Sequence, residues 1–179
     1  MTRYSYFFSV AFVLLLMSQL FMAYRTSRVE SPNYELVKSF ENFEIRNYDA
    51  MVLAQTQMNS NVYEETSSMG FKTIANYIFG GNKENQKIAM TSPVIMEMGE
   101  SSKMSFVMPK EHSFENLPEP NSERVELIKI QPKTYAVLEF TGFANDKKIE
   151  THSKRLLQFL KSERLTPVGN MKYLGYNPP

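Results

Sequence analysis

Phe71, Ile74, Ala75 and Ile78 stand at the i, i+3, i+4 and i+7 positions of one helical face, with Phe79 beside them. Met58, Met69, Met90, Met96 and Met98 flank this stripe in sequence, and twelve methionines in 179 residues is a high count. Unbranched thioether side chains adapt to irregular apolar surfaces. The chemistry on offer is therefore apolar contact, either inside a packed core or along the wall of a groove. Polar chemistry is sparse. His112 and His152 are the only histidines, and there is no cysteine. This removes disulfides, thiolate metal sites and a cysteine nucleophile, and a zinc site built on a histidine cluster is not expected. His152 falls three residues after Ile149 at the edge of a second apolar stripe and reads as a half-buried structural residue. His112 sits in a proline-containing loop and reads as an exposed residue without a role, or as a loop group that closes on a ligand. Glu64 and Glu65 open the first helix, where carboxylates favour the positive end of its dipole. Thr91 and Ser92 have no histidine near them in sequence. Gly80-Gly81 follows a helix instead of preceding one, the wrong polarity for a phosphate-binding turn. Lys72, Lys83 and Lys87 lie near the stripe and can meet a carboxylate, although surface lysines mostly solvate a face. The residues point to a binding module, with no catalytic set.

Composition bounds the reading. Hydrophobic residues make up 42% of the chain and charged residues 22%, and the net charge is +1 with Lys and Arg scattered. That matches one globular domain and gives no basic face for nucleic acid. From Tyr4 to Tyr24 no charged residue occurs. At about 1.5 Å per residue such a helix reaches roughly the 30 Å of a bilayer core. A buried core helix, a cleaved secretory signal and an uncleaved anchor compete for this segment. It is apolar all round and flanked by Arg3, Arg25 and Arg28, and its exit, Gln19 to Arg25, makes a poor cleavage site. The expectation is a membrane anchor over residues 1–25, contacting the membrane through 4–24, with a secreted or lumenal protein after cleavage as the alternative. Residues 26–33 form a polar linker, and 34–179 form the folded domain.

Positioning the stripe requires strands. Two-residue alternation predicts strands over Tyr34 to Phe40, Phe43 to Tyr48 and Met51 to Gln57, then a helix over Val62 to Phe79. A hairpin of Lys87 to Met98 and Lys103 to Met108 follows, then a long loop with Pro118 and Pro120. Strands over Val125 to Ile130 and Tyr135 to Thr141 flank the turn Gln131-Pro132-Lys133-Thr134. A helix covers Asp146 to Ser162, and Met171 to Tyr176 closes the order. Strand, helix and hairpin thus recur, which predicts an internal duplication in an α+β domain.

Three blocks resemble one family. Gly80-Gly81-Asn82 through Lys87-Ile88-Ala89-Met90-Thr91-Ser92-Pro93-Val94 reads G-x-N-x-x-x-x-K-I-x-M-T-x-P-V, Glu44-Ile45-Arg46-Asn47-Tyr48 reads E-x-R-x-Y, and Tyr173-Leu174-Gly175-Tyr176-Asn177-Pro178-Pro179 reads Y-x-x-Y-N-x-P. In this order they resemble the SOUL family of heme-binding proteins. The resemblance implies two strand-helix-hairpin units in a distorted antiparallel β-barrel flanked by two helices, here after an N-terminal hydrophobic helix. It also implies a tetrapyrrole ligand, heme above all, in an apolar groove between helix and sheet. A porphyrin needs apolar walls, one or two cations for its propionates and, optionally, an axial ligand. Phe71, Ala75, Ile78, Phe79 and Met90 would line the groove. Some family members carry a propionate-binding arginine where Ser68 stands, and some an axial histidine where Asn47 stands. The expected role is a carrier or buffer of heme without resident metal ligands. A SOUL-fold interaction protein whose pocket is filled by its own side chains, or an enzyme acting on tetrapyrroles, are the alternatives.

Overall fold

The computed structural model describes residues 29–60, 62–99 and 102–176, together with Phe8, residues 12–15 and Met17. The chain divides into two compact units, Met1–Glu30 and Ser31–Pro179. In the first, Phe8, residues 12–15 and Met17 are helical with exposed side chains. Among the described residues no helix is long and apolar enough to cross a membrane. The expected span of residues 4–24 lies mostly outside the described residues.

The second unit is α+β. Its strands are β1 (Tyr34–Ser39), β2 (Glu44–Tyr48), β3 (Met51–Gln57), β4 (Val94–Glu97), β5 (Lys103–Val107), β6 (Glu126–Ile130), β7 (Lys133–Val137) and β8 (Lys172–Gly175), and its helices are α1 (Tyr63–Ile78) and α2 (Asp146–Ser162). The bounds of β3 and α2 are those the periodicity predicts. Two expectations are corrected. Of Lys87 to Met98 only Val94–Glu97 is strand, because the preceding segment bonds elsewhere. Ile88 donates its N–H to Ile78 O at 2.8 Å and Thr91 Oγ1 donates to Val107 O at 2.5 Å, while Pro93, after a cis peptide bond, has no N–H to give a ladder. The strand expected over Tyr135 to Thr141 runs instead over Lys133–Val137. It starts inside the expected turn, because Gln131-Pro132 is a crossing between sheets and not a hairpin loop.

The barrel expectation is also corrected. The strands form a three-stranded sheet, β1-β2-β7, and a five-stranded sheet, β6-β3-β5-β4-β8. Among the described residues every pairing is antiparallel and neither sheet closes on itself. The duplication is carried by the registers. Met51 pairs with Ile130 and Gln55 with Glu126, and in the same sense Lys133 pairs with Tyr48 and Val137 with Glu44. The image of each β3 residue on β7 therefore lies 82 positions later, and the same separation places Leu156 and Leu160 over Ile74 and Ile78.

Each helix covers its own sheet. Ile74, Tyr77 and Ile78 of α1 pack with Ala54, Met96, Met104 and Phe106 in the larger core. Leu156 and Leu160 of α2 pack with Phe43, Ile45, Ala136 and Leu138 in the smaller one. Gly70 lets α1 approach β5, since a Cβ there would meet Met104 Sδ at 3.2 Å. The two helix starts are tied together: Tyr63 N–H donates to Asp146 Oδ1 at 2.7 Å, so the first carboxylate of α2 caps α1.

Candidate functional site

The end of α1 is shaped by the glycine-asparagine turn. Gly80 adopts φ +110°, which ends the helix at no steric cost. Asn82, 1% exposed, donates from Nδ2 to Tyr77 O at 3.0 Å and to Gln86 O at 2.7 Å, and accepts at Oδ1 from Gln86 N at 3.0 Å. A buried amide that satisfies three backbone groups fixes the loop, which explains why asparagine stands there. The loop returns along the helix end, bridging Lys87 to Phe79. Tyr77 donates from its hydroxyl to Pro118 O at 2.9 Å, and burial pushes its pKa up to about 12.

This frame divides the expected groove residues. Ala75 and Ile78 are buried at 8% and 1% exposure and belong to the core. Phe71 is half-buried, its ring 5.2 Å from that of Phe106. Ser68, Phe79 and Met90 face outward, with Phe79 60% and Met90 40% exposed. Met69, also 60% exposed, joins them. At 100° per residue, Ser68, Met69, Lys72, Asn76 and Phe79 share about a third of the helix circumference, and all are exposed. The structure thus brings together an open apolar and basic face on α1. A shallow depression of about 480 Å³ lies elsewhere, lined by Pro32, Asn33, Tyr34, Glu35 and Asp49, none of them an expected site residue.

Cations border the face. Lys72 stands one turn beyond Ser68 and is exposed, as is Lys87 beside Phe79. These ammonium groups, point charges on flexible stems, suit carboxylates such as propionates. No histidine stands on α1. His152 lies on α2, its ring stacked on Phe140 at 4.2 Å, and burial chiefly, then Arg155 and Lys148, hold its pKa below the ordinary value. His112 corrects the expectation of an exposed loop residue: its side chain is 11% exposed and its Nε2 lies 3.6 Å from Glu111 Oε1. Among the described residues no three His, Cys, Asp or Glu lie close enough to hold a metal ion. The face therefore offers exposed apolar side chains bordered by ammonium groups, the chemistry that a flat amphipathic acid would need, and carries no imidazole.

The E-x-R-x-Y block has a structural explanation. Arg46, 6% exposed, donates from Nε to Glu44 Oε2 at 2.7 Å and from Nη2 to Glu139 Oε1 at 2.5 Å, and its guanidinium lies 4.5 Å from the Tyr34 ring centre. Burial opposes its charge, but these bonds, Glu139 first, raise its pKa above the ordinary value. Asn47, between these residues, accepts at Oδ1 from Thr134 Oγ1 in the three-stranded sheet, not the sheet that α1 covers. Sequence reasoning missed the roles of Asp146 and Glu139 because their partners lie 83 and 93 residues away, beyond any local signal.

The fold is α+β, and a family comparison agrees with the sequence motifs: residues 29–179 match the model of the SOUL heme-binding proteins. The chain belongs to that family. It is 23% identical to heme-binding protein 1 of Xenopus laevis over 163 residues, 84% of this chain and 85% of that protein. It is 26% identical to heme-binding protein 2 of Homo sapiens over 147 residues, 77% of this chain and 71% of that protein.

Proposed function

We propose that the chain binds heme or a similar flat tetrapyrrole on the outer face of α1, as a membrane-tethered carrier or buffer. One observation carries the reading: Met69 on α1 and Phe79 at its C-terminal cap are each 60% exposed, and Met90 is 40% exposed. Large apolar side chains held outward by a rigid frame mark a contact surface. A tetrapyrrole laid on this face covers Met69, Phe79 and Met90 and meets the edge of Phe71, while Lys72 and Lys87 reach its propionates. Ser68, small and exposed, leaves room for the disc. When bound, heme would bring a redox-active iron, but the residues of this face act by apolar burial and charge, so iron contributes little to affinity. Family membership and the names of the relatives support a tetrapyrrole ligand. The uncharged run from Tyr4 to Tyr24 supports tethering.

The test is titration of the full-length chain in mild detergent with hemin and with metal-free protoporphyrin. Both should bind, with dissociation constants within about tenfold of each other, or roughly 1.4 kcal/mol. Tight hemin binding without porphyrin binding would contradict the iron-independent model. The burial of Ala75 and Ile78 favours a second reading, an interaction protein whose groove is filled by its own core. Failure of both ligands to bind at micromolar concentration would select it.

A further inference from the structure

Lys147, Lys154 and Lys161 recur every seven residues along α2, and all three are exposed. Seven residues fall about 20° short of two full turns, so the three ammonium groups form one line over about 21 Å of helix. That line lies opposite Ile149, Leu156 and Leu160, the buried residues of α2. The two acidic residues of the helix are already engaged: Asp146 caps α1, and Glu150 is held by Lys154 Nζ at 2.6 Å. Arg155, also exposed, adds a further cation. Lysines that are scattered along the sequence thus make the outer face of α2 basic.

Both ends of this face carry an apolar side chain in water. Phe143 and Val168 are 98% and 92% exposed, the highest values among the large apolar residues described. Phe143 stands two residues before the cap Asn145, and Val168 six residues after Ser162. The Phe143 loop is a built feature. Lys148 Nζ donates to Thr141 O and lies 5.6 Å from the Phe140 ring centre, and Gly142 turns beneath it at φ +87°, where a Cβ would meet that Nζ at 2.9 Å. The turn holds the next side chain outward. Val168 precedes a second such turn, Gly169 at φ +86°, where a Cβ would meet nothing within 4 Å.

We propose that the outer face of α2, with Phe143 and Val168 at its ends, docks on the surface of an anionic lipid bilayer. The contact is long, basic along its middle and apolar at its ends. A bilayer matches it as a flat, extended partner with negative headgroups over an apolar layer. Each lysine near such a surface strengthens binding by about fivefold. Phe143 and Val168 add the burial of two side chains below the headgroups. The inference rests on the tethering proposed above: the linker of residues 26–33 confines the domain to the bilayer, so that a contact weak by itself is populated. Docking gives the domain a fixed orientation on the membrane.

The chain has no tryptophan, so Phe143→Trp, Val168→Trp and Phe114→Trp each give full-length protein with a single indole. Phe114 lies beside Lys129 of β6, in the sheet that α2 does not cover, and serves as the control. Each variant is mixed with phosphatidylcholine vesicles, with or without phosphatidylserine, that carry brominated lipid as a quencher. Emission from positions 143 and 168 should shift to the blue and be quenched only with phosphatidylserine, and less so at high salt, while position 114 stays unmoved. Adding Lys147→Gln, Lys154→Gln and Lys161→Gln to the Phe143→Trp protein should remove the response, although the chain still sediments with the vesicles. Equal quenching in neutral vesicles or at position 114 would overturn the proposal, since tethering alone produces it. A chain that sediments but shows no quenching at position 143 in anionic vesicles would overturn it and leave the tether standing. Failure to sediment with neutral vesicles would count against the tether, and the response of position 143 to anionic vesicles would still decide the helix face. Heparin binding that the lysine substitutions weaken and Phe143→Ser leaves unchanged, with no quenching by lipid, would overturn it in favour of a soluble polyanion.

Discussion

Thr134 Oγ1 donates a hydrogen bond of 3.2 Å to Asn47 Oδ1, joining β7 to β2 within the three-stranded sheet. Position 47 therefore points its chemistry at a neighbouring strand, and the face of α1 lies over the other sheet. Asn47→His should leave the Soret band of the hemin-bound protein where it is, and should cost less than about 1 kcal/mol of stability as a largely surface change. Absorption spectra of the two proteins check this, and a displaced band would bring that residue to the iron.

The split between core and surface on α1 predicts opposite phenotypes for neighbouring residues. Ile78, 1% exposed, should cost about 2–5 kcal/mol on truncation to alanine, through lost burial and the cavity left behind. Phe79, 60% exposed, should cost little stability but weaken tetrapyrrole binding. Chemical denaturation beside ligand titration separates the two.

Arg46 sits at 6% exposure between Glu44 and Glu139. Arg46→Ala should destabilise the domain by about 3–5 kcal/mol, because it empties a buried site and strands Glu44 beside it. Glu139→Gln should cost far less, since Glu139 has a side chain 74% exposed and Glu44 still holds the guanidinium. Urea midpoints of the two variants test the order, and equal losses would refute it.

Much of this fold can be read from local pattern, and the division of its strands into two sheets cannot. The period of Ile149, Leu156 and Leu160 marks α2 to the residue, and that of Ile74, Ala75 and Ile78 marks the buried side of α1. Phe79 follows Ile78 by one position, which turns it about 100° away from the stripe, so an aromatic that reads as part of the wall stands outside the core. Met90 is exposed for a related reason, as Thr91 beside it turns inward to bond Val107 O. Element order reveals the duplication, but whether strands close into a barrel depends on pairings between residues far apart in sequence. Nothing near Val137 or Gly175 signals that, among the described residues, each ends its sheet.

Acid should loosen the attachment of β8. Burial alone would raise the Glu97 pKa, but the hydrogen bond and charge of Lys172, with a bond of 3.0 Å from Asn170 Nδ2, hold it below the ordinary value. A carboxylate depressed in the folded state contributes stability that is fully present above its unfolded pKa of 4.5 and is lost as pH falls through the folded value. Stability measured from pH 6 downward should thus decline below roughly pH 4.5, and Glu97→Gln should flatten part of that decline. An unchanged slope in the variant would remove Glu97 as a source.

The central claim, that a tetrapyrrole binds the outer face of α1 by apolar contact, is tested most directly by titrating protoporphyrin into full-length protein and into a Met69→Glu, Phe79→Glu double variant. Both side chains are mostly solvent-exposed, so the variant should keep the thermal midpoint of the parent within a few degrees. Its affinity for protoporphyrin should fall by about tenfold or more, through lost apolar contact and repulsion of the propionates. A folded double variant that binds protoporphyrin as tightly as the parent would contradict the account.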